Sequence, residues 1–460
     1  MQSKWIRFGT GMLTASALFL AACGNGDDTT ETPDQTEENT GEETGDETET
    51  TDDNGSSDET ASGDTVEITF WHAMNGPHQE AITALTDAFN ESQDQYFVNE
   101  QGQGGYPELS QSIMGAGVSG DLPTMSQLTA TDVPELASND LLVPLTDDFL
   151  TSNGFEQEAL DDIFEGFMTS SVYDGEMYAM PFSKSTRVMY YNQGILDEYD
   201  VELPTTWEEV EALGEMMVEN GDDRVAMGLE NGFEMEYETM ARQNGADFID
   251  GETLNVDINS AESVEALELL ANMFEEGYAR TAGEDGFFSG PFGRGESALY
   301  IGSSAGVAHV EPVAEENGLD WGTAPIPTLN DTELTLFAGN DLALFHSASE
   351  EEQQGFVEYI SFLLEPENTA EWAMLSGYVP IRESALENAD YVAFLEENPQ
   401  QEAATTMLSY GMSSPTFLGY GEFRNALIDA MDDVAVSGMA PQDVLDNLQQ
   451  EAESIIESNN

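Results

Sequence analysis

Three stretches carry side chains that could do chemistry. The first is GSSAG, Gly302 to Gly306, which fits G-x-S-x-G with Ser304 in the nucleophile's place, a strand-like run before it and a helix-like run after it. A hydrolase also needs a histidine and a carboxylate. Downstream only His309 and His346 remain, with Asp341 five residues before the latter, which is cramped for a Ser, Asp, His order. The same small residues suit a turn whose hydroxyls and N–H groups meet a ligand at a helix N-terminus, and this cradle is the preferred reading over the elbow or a plain turn. The second stretch holds His72 and His78 across a Gly-Pro turn, with no sulfur ligand or further histidine beside them, so no metal site is expected. The third is PFSKSTRVMYYN, residues 181–192, where Lys184 and Arg187 lie three residues apart.

Those two cations stand out against the rest of the chain. Its 460 residues carry 92 acidic and 10 basic side chains, a formal net charge of −82, and Lys184 is the only lysine beyond Lys4. Self-repulsion of that size works against a compact state in dilute buffer. At ~1 M salt the Debye length is only ~3 Å, so the composition points to a protein that works in brine. With no basic patch, nucleic-acid binding is excluded. Beyond the N-terminal segment the cations are Lys184, Arg187, Arg224, Arg242, Arg280, Arg294, Arg382 and Arg424. Each either pairs with the abundant acids or serves a ligand. Arg424 follows the aromatic, glycine-rich run SPTFLGYGEF, a setting suited to a small polar anion.

The elements that must position these groups follow in order. Lys4 and Arg7, an apolar run and then LAAC, Leu20 to Cys23, read as a secretory signal too short to span a membrane, over residues 1–22. LAAC resembles a lipobox, in which the cysteine (the only one in the chain) is lipidated and becomes the mature N-terminus. Residues 24–65 hold 16 Asp or Glu and no Lys or Arg, so 23–65 reads as a disordered acidic tether. Order begins at TVEITFWHAM, with the helix-like PHQEAITALTDAFNES after it. Strand and helix signals then alternate, GEMYAMPFSKSTRVMYYN reading as two strands around Pro181 and TTWEEVEALGEMMVENG as a helix capped by Thr205 or Thr206. From about residue 347 helices dominate. The pattern is α/β with mainly parallel sheets.

FWHAM, PFSKSTRVMYYN, PTTWEEVEAL, ALYIGSSAG, FAGNDLALF, PENTAEWAMLSGYVPI and GYGEFRNAL together resemble the extracellular solute-binding proteins of ABC importers, in the glycerol-3-phosphate-binding branch, over about residues 66–455. The resemblance implies a two-lobed, class II periplasmic-binding-protein-like α/β fold that closes about a hinge. Lobe one would be 66–182 and 323–366, and lobe two 185–320 and 370–460. It implies ligand contacts at Tyr106, Ser185, Ser303, Gly339, Tyr378 and Arg424. Where the family has a glutamate for glycerol hydroxyls this chain places Ala130, and Asp132 two residues on is the substitute to consider. Trp71 and Lys184 are further candidates, Lys184 to raise the potential at the cleft mouth, while Arg187 is expected to pair with an acid. The implied protein is not an enzyme and needs no cofactor or metal. Its partners would be a phosphorylated polyol or sugar and the transmembrane subunits of a permease, with the membrane reached only through a lipid on Cys23. The alternative ligand is an oligosaccharide stacked on Trp71, Tyr106, Trp207 and Tyr378.

Overall fold

The computed structural model describes residues 65–459 apart from Glu252. The signal segment, Cys23 and nearly all of the acidic tether lie outside the described residues. Nine strands carry the architecture: β1 (Val66–His72), β2 (Tyr96–Gly102), β3 (Met125–Leu128), β4 (Ala179–Asn192), β5 (Val225–Leu229), β6 (Ala279–Thr281), β7 (Ser297–Ser303), β8 (Trp321–Ala324) and β9 (Thr335–Leu344). They run in the order β6-β5-β7-β4-β9-β3-β1-β2, with β8 pairing the free side of β4. The ladders are mixed: β1 is parallel to β2 and β3, and β5 to β6 and β7, whereas β4 meets β7, β8 and β9 antiparallel. Expecting mainly parallel sheets is half right, because the returning strands that join the lobes run against their neighbours.

β4 is the seam. Its first half, Ala179 to Thr186, pairs with β9, and its second half, Arg187 to Asn192, pairs with β7 and β8. One 14-residue strand therefore serves both lobes, in place of the two strands expected around Pro181. Proline has no N–H for a ladder, so it belongs at a bulge or edge. Here the register against β9 shifts between Asn340 and Asp341, and Asp341 is the residue opposite Pro181. The bulge absorbs the missing donor, and the strand continues.

Local chemistry sets the flanking helices. α1 (Pro77–Ser92) starts on a proline, whose φ is already helical, and turns Ile82, Leu85 and Phe89 inward at helical spacing. α2 (Tyr106–Ser119) and α3 (Asp132–Ser138) follow β2 and β3. α4 (Trp207–Glu219) is capped by Thr206, which with Glu209 forms a reciprocal capping box. α5 (Glu234–Gln243), α6 (Val307–Asn317), α7 (Pro366–Ser376) and α8 (Tyr420–Ala435) complete the set needed for the site. α7 packs against α1. One apolar core gathers Ile68, Phe70, Phe89, Tyr359 and Trp372. A second gathers Met189, Trp207, Leu267, Phe423 and Leu448. No helix of the described residues is long and apolar enough to cross a membrane.

Candidate functional site

A cleft of about 430 Å³ opens where α2 and the β3–α3 turn face the starts of α5 and α8, with the β4–β9 ladder as its floor. Tyr106, Ala130, Asp132, Lys184, Gly339 and Arg424, all singled out from the sequence, line it together. Ser185, Ser303, Tyr378 and Trp71 do not. Tyr378 is buried beside Tyr106 outside the lining, and burial raises the pKa of both phenols. Tyr106 accepts from Asn340 Nδ2 at 2.8 Å, which fixes its ring against the floor. Ser185 is buried next to Lys184 and opposite Ala338. The Ser303 hydroxyl caps the turn after β7, accepting from Ala305 N at 3.2 Å. Trp71 half-covers the end of β1 and donates to Gln101 Oε1 at 3.1 Å.

Gly339 shows why the floor has its sequence. Its φ of +123° is open to glycine, and a Cβ there would stand 1.8 Å from the Ser183 carbonyl oxygen. The backbones of β4 and β9 can approach this closely at the cleft floor only without a side chain.

The positive charges among the described residues are all spoken for. Each of the eight basic side chains among the described residues has a carboxylate within ion-pair distance. Lys184 is buried; its Nζ lies 2.5 Å from Asp341 Oδ1 and donates to Ser170 Oγ at 2.8 Å. Its charge is thus cancelled at the floor, and the expectation that it raises the cleft's potential is corrected. Arg187 is held by Glu236 as expected, its Nε donating at 2.6 Å; burial works against its charge, but the carboxylates of Glu236 and Glu230 outweigh that and keep the guanidinium protonated. Arg424 is different: it projects from α8 with its side chain 44% exposed, touching Glu234 Oε1 at 2.5 Å.

Three carboxylates line the cleft beside these two cations. Asp132 is turned back on its own loop, accepting from Thr129 N at 2.9 Å, Thr129 Oγ1 at 2.7 Å and Ser110 Oγ at 2.8 Å. It sits near the position of the family glutamate, yet its oxygens brace the start of α3. Glu238 binds Arg242 at 2.9 Å and accepts from Ser414 Oγ at 2.8 Å. Glu234 is the third. Neither Glu234 nor Glu238 was picked out from the sequence, although FEMEYETMARQ places the two on one helix face. Apolar cover comes from Phe337, Tyr420 and Phe423. The SPTFLGYGEF run had marked the last two. Across the mouth, Gly419 N at the start of α8 donates to Glu135 Oε1 of α3 at 3.1 Å.

The stacking platform expected for an oligosaccharide is not assembled, because Trp207 is 2% exposed in the second core. The hydrolase reading also falls. Ser304 Oγ accepts from Thr186 N at 3.4 Å, Asp341 is committed to Lys184, and His346 Nδ1 faces the Leu141 carbonyl at 3.2 Å. Among the described residues no group of three or more His, Cys, Asp or Glu has the arrangement of a metal site.

A cleft between two lobes that share a crossing strand is the architecture of a solute-binding protein, and comparison with known proteins agrees. The model of the bacterial extracellular solute-binding protein family matches residues 84–403, and the chain belongs to that family. It is similar to the sn-glycerol-3-phosphate-binding periplasmic protein UgpB of Yersinia pestis, 25% identical over 402 residues, covering 83% of this chain and 90% of that one. The UgpB of Rhizobium meliloti is 27% identical over 362 residues, covering 76% and 83%. Among solved structures, UgpB from Mycobacterium tuberculosis in complex with glycerophosphocholine superimposes with a TM-score of 0.75 at 24% identity, covering 86% of this chain and 99% of that one. The cyclic alpha-maltosyl-1,6-maltose binding protein from Arthrobacter globiformis gives the same TM-score at 21% identity, covering 86% and 100%. The two-lobed fold and the role of an extracellular solute-binding component of an ABC importer follow from these findings.

Proposed function

We propose that this chain is a substrate-binding lipoprotein that captures glycerol-3-phosphate or a related glycerophosphodiester in its interlobe cleft and delivers it to a membrane permease. Lipid on Cys23 and the acidic segment 23–65 would hold it at the outer face of the cell membrane. The observation that carries the ligand class is Arg424. It is the exposed guanidinium of the cleft, it stands in the first turns of α8, and Tyr106 and Gly339 share its cavity. A forked, charged donor beside polar hydroxyls fits a phosphate bearing an alcohol. The curated relatives named for glycerol-3-phosphate support the same class.

Between ester types, the lining favours the diester. Its formal charges are two cations, Lys184 and Arg424, and three carboxylates, Asp132, Glu234 and Glu238, a sum of −1. A phosphomonoester carries close to two negative charges at neutral pH and a diester one. The test is calorimetric titration of the mature protein in molar salt with glycerol-3-phosphate, glycerophosphocholine and maltose in separate runs. Saturable binding of a phosphate compound, lost in Arg424→Ala, is the expected result. Binding of maltose alone would sink the phosphate reading.

A further inference from the structure

We propose that Glu234 is a built-in counter-anion to Arg424 and determines which phosphate charge state the cleft accepts. The inference rests on the phosphate reading above and deepens it. Glu234 is the first residue of α5, where the positive end of the helix favours a carboxylate. Its side chain is 11% exposed and touches Arg424 at 2.5 Å, and both line the same cavity. A phosphate reaching Arg424 therefore meets a carboxylate already in contact with the guanidinium. It can share the fork's remaining N–H groups, but it cannot avoid the neighbouring charge.

The other charged groups around the pair do not relieve this. Lys184 is cancelled by Asp341, Glu238 by Arg242 and Glu236 by Arg187, while Asp132 stays on its own loop as a further negative charge. Each charge on the ligand is thus repelled once by Glu234 at contact range, where molar salt does not screen. A singly charged diester meets that repulsion once and a dianionic monoester twice. One extra unit charge a few ångströms away in a partly desolvated site corresponds to roughly a tenfold difference in affinity.

The experiment compares the ratio of dissociation constants, glycerol-3-phosphate over glycerophosphocholine, by calorimetry in molar salt at pH 7.5. In Glu234→Gln, which keeps shape and a hydrogen bond to Arg424, the ratio should fall about tenfold from the wild-type value. In Glu422→Gln, an exposed carboxylate of α8 outside the cleft lining, it should stay within about twofold. A second measurement needs no variant. Lowering the pH from 7.5 to 5.5 removes most of the monoester's second charge, whose pKa is about 6, while the diester's charge is constant and controls for titration of the protein. The wild-type ratio should then fall, and the Glu234→Gln ratio should stay level. A ratio unmoved by Glu234→Gln, an equal shift in Glu422→Gln, or a wild-type ratio flat with pH overturns the role of Glu234 while leaving the phosphate reading intact. Failure of wild type to bind either phosphate compound overturns both.

Discussion

Two ion pairs with the same chemistry sit on either side of the cleft floor. Lys184 and Asp341 are buried in the β4–β9 ladder at 3% and 1% side-chain exposure, and Arg424 and Glu234 meet at the wall with 44% and 11%. Burial alone assigns them different tasks. Below the floor, neither charge can find another partner, so the pair is a fixed part of the seam between lobes. At the wall, the guanidinium can reach solvent or ligand without leaving its carboxylate, so the pair is adjustable. In a chain of net charge −82, keeping a cation is therefore no sign of ligand contact; keeping one partly exposed inside a cleft is.

Removing one member of the floor pair should have the largest effect. Asp341→Ala leaves the Lys184 ammonium buried with only Ser170 to receive it, and should cost about 3–5 kcal/mol in denaturant unfolding at molar salt. A loss below about 1 kcal/mol would erase the distinction between floor and wall. A buried base with no counter-ion gives the next largest effect. His72 is fully buried, accepts from Met74 N at 3.2 Å, and burial pushes its pKa from 6.5 down to about 4. The unfolded chain takes up its proton first, so stability is intact above pH 6.5 and is lost as pH falls toward 4. The loss from this group reaches roughly 3 kcal/mol at most. His72→Leu, even if less stable overall, should show a shallower decline between those pH values.

At the wall, Arg424→Gln should change stability by no more than about 0.5 kcal/mol while weakening a phosphate ligand by roughly 10- to 100-fold. A large stability loss with unchanged affinity would make this pair a second floor pair. The smallest effect belongs to a third setting, open surface. Arg294 is 41% exposed and bonded to Glu296 at 2.6 Å, and Arg294→Ala should shift the unfolding free energy by less than about 0.5 kcal/mol.

The fold was more legible than the charge network. The helix-like run from Pro77, the cap at Thr205 or Thr206, and the apolar alternation of Val66–His72 are local signals, and the elements stand where those signals put them. Pro181 misled, because what lets a proline remain inside β4 is a bulge in a strand some 160 residues away. Gly339 and Arg424 were recognisable within their motifs. Glu234 and Glu238 were not, since acidic residues are so common here that three more in FEMEYETMARQ say little. Glu238 and Arg242 are an i,i+4 pair within α5, but only the fold shows that Glu234 and Glu236 meet Arg424 and Arg187. The Lys184–Asp341 pair was hidden for a related reason: the partners are 157 residues apart, and pairing depends on register.

The shared strand also has a consequence for how the chain can assemble as it is made. β9, the sheet's link between β3 and β4, comes late in the chain, at Thr335–Leu344. When Asn192 emerges, β1, β2 and β3 can already pair, but β4 has no place beside them. The stretch 193–324 supplies β5, β6, β7 and β8, every strand that the second half of β4 requires. Lobe two's sheet can thus be completed first, from contiguous residues, whereas lobe one's must hold a gap open for more than a hundred residues of synthesis. Its apolar strands face solvent throughout that delay. Lobe one is the part of the nascent protein most exposed to aggregation.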